Sequence, residues 1–207
     1  MSREQGELLL PRETLLTAGV HIGTRVRERA MRPYIFRVRG DGLAILDVER
    51  TDERIRIAAK FLSRFDPPTI AAVSAREYGW EPVKKFCSVV GAVPIVGRFV
   101  PGTFSNPILA SHVEPKVALV VDPSTDQQAV EEASLIGIPV VALCSTNNSL
   151  KNIDLVIPAN NKGRRSLATV FWLLAREILR ERGEIGRDED LPLSISDFEM
   201  KIEEGGE

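Results

Sequence analysis

Apolar residues along this chain recur at two spacings, and the spacing switches repeatedly from Asp47 onward. Ile55, Ala58, Ala59, Leu62 and Phe65 follow the three-and-four spacing of one helix face, and Asp66-Pro67-Pro68 stops that helix because proline lacks an N–H. Thr69–Ser74 is a continuous apolar run of strand length. A helix through Val83, Phe86, Cys87 and Val90 ends at Gly91, and Val93–Val96 is the next strand. Further strands are predicted at Val117–Val121, Val140–Cys144 and Leu155–Ile157. The helix between the first two of these turns Ala129, Ala133 and Ile136 inward and ends at Gly137. Strands of Val, Ile and Ala without polar alternation, separated by helices, specify an α/β doubly wound domain: a flavodoxin- or Rossmann-like parallel sheet with helices on both faces.

Ahead of that core, Leu8–Leu16 is predicted as a short helix with Pro11 in its first turn, ending by Gly19. Val20–Pro33 is irregular and rich in arginine. Tyr34–Arg39 alternates as a strand does, Gly40-Asp41-Gly42 turns, and Leu43–Leu46 returns as the partner of a small hairpin. After Leu155–Ile157 comes Asn160-Asn161-Lys162-Gly163, then a long helix whose face of Leu167, Val170, Phe171, Leu174 and Ile178 packs. Its other face, with Arg165, Trp172 and Arg176, is free to meet solvent or a phosphate. Gly183, with Arg180 and Arg182 before it, marks the helix end. The expected organisation is one domain over residues 1–183, with helix, basic loop and hairpin in 8–46 and the doubly wound core in 47–183. An acidic, mobile tail is expected over 184–207.

At 207 residues and 43% hydrophobic the chain can bury a substantial core. No run is long and apolar enough to span a membrane, and the first residues lack a signal peptide's apolar centre, so the expected location is cytoplasmic. Cys87 and Cys144 each sit in an apolar run, as buried free thiols do. The net charge of -2 hides an uneven distribution: residues 184–207 hold nine acids and two bases, leaving 25 bases against 20 acids in the rest. Residues 1–40 carry eight arginines against four glutamates, and 161–183 carry six bases against two acids, so two basic segments flank a nearly neutral middle.

The loops after the strands do not read as an active site. No G-x-G-x-x-G follows the first parallel strand and no G-x-x-x-x-G-K-[ST] occurs. His21, taken as a loop hydrogen-bonder, and His112, taken as a surface residue, have no histidine at ligand spacing, so no metal and no cofactor are expected. Asp122 and Asp126 could pair as catalytic carboxylates, but Asp122-Pro123-Ser124 more simply starts a turn before a helix. A strand that hands over to a helix through Lys162, Arg164 and Arg165 instead places cations and N–H groups where they suit phosphate. Arg98 is expected on the same sheet edge, with Arg25, Arg27, Arg29 and Arg32 extending the patch. The rival reading is an enzyme handling a nucleotide or sugar phosphate on the same fold.

Ala18-Gly19-Val20-His21-Ile22-Gly23, Pro33-Tyr34-Ile35-Phe36, Asp47 with Arg50-Thr51, Gly97-Arg98-Phe99 with Pro101-Gly102-Thr103, Asn106-Pro107, Asp122-Pro123, Ile138–Cys144 and Ile157–Ser166 follow one another in this order. Together they resemble the small-subunit ribosomal protein S2 family over residues 8–183. Asn160–Leu167 and Trp172–Glu177 resemble its archaeal and eukaryotic branch, which includes the laminin-receptor precursor. Bacterial members carry a coiled-coil insertion after the first long helix, for which there is no room between Phe65 and Thr69. The resemblance implies a non-enzymatic constituent of the small ribosomal subunit, supporting assembly and initiation. Its implied partners are small-subunit rRNA and other small-subunit ribosomal proteins, with no membrane and no small-molecule substrate, and off the ribosome a monomer is expected.

Overall fold

The structure, a computed structural model, describes residues 8–186 and 189–201. Five parallel strands form its centre: β3 (Ile70–Ser74), β4 (Val93–Val96), β5 (Val117–Val120), β6 (Val140–Cys144) and β7 (Leu155–Pro158). They lie in the order β4-β3-β5-β6-β7, so the chain starts inside the sheet, adds one strand to one side and three to the other. That is the flavodoxin-like order, with its reversal between β3 and β5. Alternate side chains feed two cores: Ile70, Ala72, Leu119, Leu143 and Ile157 point to one, and Ala71, Val73, Val120, Ala142 and Val156 to the other.

Helices α2 (Val48–Leu62), α3 (Trp80–Val90) and α5 (Arg164–Arg182) cover the first face. Asp47 caps α2 by accepting from the Glu49 N–H at 3.0 Å, and Thr51, Ile55, Ala58, Ala59 and Leu62 form its buried face. Phe86 and Phe171 meet edge-to-face across α3 and α5 at 5.5 Å. The second face has one helix, α4 (Gln127–Ile136), and is completed by Phe99 and Phe104 of the β4–β5 connection and by Met31 and Leu46. Ile136, expected inward, is 40% exposed. It lies at the last turn, and Val130 takes the inward position.

The N-terminal helix α1 (Arg12–Thr17) and the antiparallel pair β1 (Ile35–Val38) and β2 (Ala44–Leu46) form as the pattern predicts. Two expectations about the C-terminal part are corrected. The second face of α5 is not free: Trp172 and Arg176 are buried, because residues beyond Gly183 fold back over it. Trp172 Nε1 donates to the Leu193 carbonyl at 2.7 Å, and Arg176 stacks over the Trp172 ring while reaching Asp190 at 2.9 Å and the Leu9 carbonyl at 2.7 Å. The tail is likewise not loose where it is described. Leu191 and Phe198 are buried against the first core, and Ile195–Phe198 forms a 3-10 turn closed by a Ser194–Asp197 capping box. Its few apolar residues dock by joining the buried cluster that α5 builds around Trp172 and Leu173. Residues 187, 188 and 202–207 of the expected tail lie outside the described residues.

Candidate nucleic-acid interface

The loop from β7 into α5 is fixed by two asparagines. Asn160 donates to the Gly19 carbonyl at 3.1 Å and accepts from the Lys162 and Gly163 N–H groups, while Ser166 Oγ donates to the Asn160 carbonyl at 2.7 Å. Asn161 is fully buried and donates to the Leu143 carbonyl and to Asn148 Oδ1, both at 3.0 Å. A Cβ on Gly163 would stand 2.9 Å from Asn160 Nδ2, so a side chain there would press on the amide that holds the loop. Lys162 is thereby held out from the surface, its Nζ 3.2 Å from Asn147 Oδ1.

The arginine loop arrives at the same place by a different route. Thr146, buried at the end of β6, accepts from the Thr24 N–H at 2.8 Å, donates to the Val26 carbonyl at 3.1 Å, and accepts the Glu28 N–H on its own carbonyl at 2.7 Å. All three links use the loop's backbone, so the side chains of Arg25, Arg27 and Arg29 stay exposed, as does Arg32 on the following 3-10 turn. Gly23 lets the loop sit this close: a Cβ there would meet Thr146 Cγ2 at 2.6 Å and the Ala44 carbonyl at 2.7 Å. The adjacent residues Thr146 and Asn147 thus join the Arg25–Arg29 loop to Lys162.

The other named cations stand apart or are engaged. Arg98 follows β4, at the far side of the sheet from β7, four strand spacings or roughly 19 Å away, so it does not share one end of the edge with Lys162. Arg164 and Arg165 do flank Lys162, but Glu199 of the C-terminal segment sits on them, 2.8 Å from Arg164 Nε and 3.8 Å from Arg165 Nε. No local pattern signals this pairing, since Glu199 is 34 residues beyond Arg165.

The crevice at the strand reversal, where this fold type takes ligands, is closed by its own side chains. Asp126 accepts from the Ala75 N–H at 2.7 Å and the Asp122 N–H at 3.2 Å. Asp122 pairs with Arg76 and accepts from Ser124 N–H, Thr125 Oγ1 and Asn148 Nδ2. With their lone pairs so occupied, the two carboxylates hold loops together. Burial pushes Asp126 up to about 6, with the neighbouring Asp122 charge adding to it. Burial also opposes ionisation of Asp122, but Arg76 and the hydrogen bonds from Asn148 and Ser124 hold it below the usual carboxylate range. A raised carboxyl means the folded state grips the proton more tightly than the unfolded one, so this contribution to stability is present below about pH 4 and lost as pH rises through about 6. Relative to the parent, Asp126→Asn should therefore gain roughly 1–3 kcal/mol between pH 4 and pH 7. Denaturant unfolding across that range checks it, and a flat difference would show an unperturbed carboxyl.

Neither histidine keeps its expected role. His112 is largely enclosed, its Nδ1 donating to the Thr103 carbonyl at 3.1 Å, whereas His21 Nδ1 is buried with no hydrogen-bond partner among the described residues. Both cysteines are buried, and desolvation raises both thiols, Cys87 to about 12.

Comparison with known proteins bears on what this edge serves. The profile of the family described as ribosomal protein S2 matches residues 15–112 and 107–180. The chain is 59% identical over 196 residues to a small ribosomal subunit protein uS2 of Staphylothermus marinus, covering 95% of this chain and 89% of that protein. It is 52% identical over 203 residues to the protein of the same name from Thermofilum pendens, covering 98% and 95%, and 54% identical over 209 residues to that of Ignicoccus hospitalis, covering 98% and 99%.

Proposed function

Because the chain belongs to the ribosomal protein S2 family, we propose that it is a structural constituent of the small ribosomal subunit, binding small-subunit rRNA and neighbouring ribosomal proteins rather than catalysing a reaction. The observation that carries the RNA-binding face is the joining of the Arg25–Arg29 loop to Lys162 through Thr146 and Asn147. Exposed guanidinium groups on a backbone-anchored loop neutralise phosphates without having to reorganise it. The enzyme alternative is not favoured, since the crevice it would use is filled by the Arg76–Asp122–Asp126–Asn148 network. Its place is the ribosome in the cytoplasm, and no described helix is long and apolar enough to cross a membrane. Off the ribosome we propose a monomer. Cosedimentation of tagged protein with small subunits at low and high salt tests this reading; failure to sediment with them at any salt would overturn it.

Glu199 tunes that face. Its carboxylate offsets one of the two charges of Arg164 and Arg165 in the free protein and competes with any phosphate approaching the start of α5. Glu199→Gln should tighten rRNA binding and steepen the log-affinity against log-salt slope by about 0.7–0.9, one recovered phosphate contact. An unchanged slope would mean that Arg164 and Arg165 serve the C-terminal segment alone.

A further inference from the structure

A groove of about 370 Å³ opens between α1 and the β1–β2 hairpin, apart from the arginine loop. Arg12 and Leu16 of α1 line it together with Phe36, Arg37 and Arg39 of the hairpin and His21. Phe36 is 62% exposed, although a ring of that size gains by burial. The strand pairing explains why it stays out. Ile35 pairs with Leu46 and Arg37 with Ile45, so one step on β2 is matched by two on β1 and Phe36 is the unpaired residue of a bulge. Neighbouring residues of a regular strand point to opposite faces; here the bulge lets both Phe36 and Arg37 line one groove.

Among the residues that line the groove, cations outnumber acids. Three guanidinium groups face one carboxylate, Asp47, whose Oδ1 is occupied in capping α2. Among the described residues, the ion-pair partners of Arg12 and Arg39 are loose and exposed, Glu49 at 4.0 Å and Asp41 at 3.6 Å. Burial lowers the His21 pKa, so near neutral pH that ring adds no charge. The hairpin is also continuous with the arginine loop: Gly23 N–H donates to the Ala44 carbonyl and Ala44 N–H to the Thr24 carbonyl, which ties β2 to the start of that loop. An exposed ring flanked by arginines matches a planar base and its phosphates better than it matches an acidic peptide, which would leave the ring uncovered.

We infer that this groove binds an unpaired RNA nucleotide, its base stacked on Phe36 and its phosphates held by Arg37 and Arg39. The inference rests on the rRNA-binding role and adds to it a single-stranded contact beside the phosphate face. The test uses the full chain with a short unpaired RNA oligonucleotide, a blunt duplex of the same sequence, and small-subunit rRNA. Phe36→Leu should weaken binding of the unpaired probe roughly 5- to 150-fold, the range of base–aromatic stacking, with an unchanged salt slope and an unchanged thermal midpoint. Phe36→Tyr should bind like the parent, and Arg37→Ala with Arg39→Ala should lower the slope by about 1.4. Parent-like binding of the unpaired probe by Phe36→Leu overturns the inference, and if that variant still loses cosedimentation with small subunits the groove is a protein contact. If only the parental protein's binding to rRNA and to subunits fails, the ribosomal reading falls first and this one with it; if those persist and the Phe36 variants are silent, this one falls alone.

Discussion

Phe198→Ala is expected to lower stability by about 3–5 kcal/mol, the cost of emptying a large buried aromatic site, and a chain of this size should then melt roughly 6–20 °C lower. Phe198 is fully buried, held against α5 and α3 by a turn whose capping box satisfies the Ser194 N–H through Asp197. Leu191, also buried, and the Trp172-to-Leu193 hydrogen bond anchor the approach to it. Typical domains have only about 5–15 kcal/mol in total, so a chain ending before this segment should fare worse than the point variant. Because Glu199 follows Phe198 directly, loosening the turn also releases Arg164 and Arg165, so the destabilised variant should bind rRNA with a steeper salt slope below its melting temperature. Differential scanning calorimetry decides the first part. An unchanged midpoint would restore the mobile tail that the acidic composition suggests.

Replacing Arg25, Arg27, Arg29 and Lys162 together with alanine should weaken rRNA binding by roughly three orders of magnitude at about 0.1 M salt and lower the slope by about 3, four phosphate contacts at 0.7–0.9 each. The fold should be unaffected, since the loop is pinned to Thr146 by the backbone of Thr24, Val26 and Glu28. Replacing Lys162, Arg164 and Arg165 should do less, because the Glu199 carboxylate already offsets one of the three charges. The control is Arg50 with Arg54 on α2, where Arg50 pairs with Glu53 at 3.1 Å and Arg54 donates to Tyr34 Oη at 3.0 Å. Filter binding over a salt series separates the cases. Equal slope losses in control and quadruple variant would make the binding diffuse, and no loss in the quadruple variant would remove the site.

Sequence alone determined the elements and their class. Ile55, Ala58, Ala59 and Leu62 mark one face of a helix, Pro67-Pro68 ends it, and the uninterrupted runs at Val140–Cys144 and Leu155–Ile157, short and rich in β-branched residues, read as buried strands. These are local facts, set by backbone sterics and by the period at which apolar side chains repeat. The motif order from Ala18 to Ser166 carried the family on the same basis, since it is read along the chain. What the tertiary structure decided is which charges meet. Arg98 and Lys162 both follow strand ends, yet strand order puts β4 and β7 on opposite sides of the sheet. Thr146 gathers the Arg25–Arg29 loop from 122 residues away, and Glu199 finds Arg164 across a fold-back that composition reads as loose. Arg176 and Trp172, polar and amphipathic on a helix face, are buried because a segment later in the chain covers them. Pairing of charges and the covering of one helix face depend on distances in space between residues far apart in sequence, and hydrophobic periodicity holds no information about those distances.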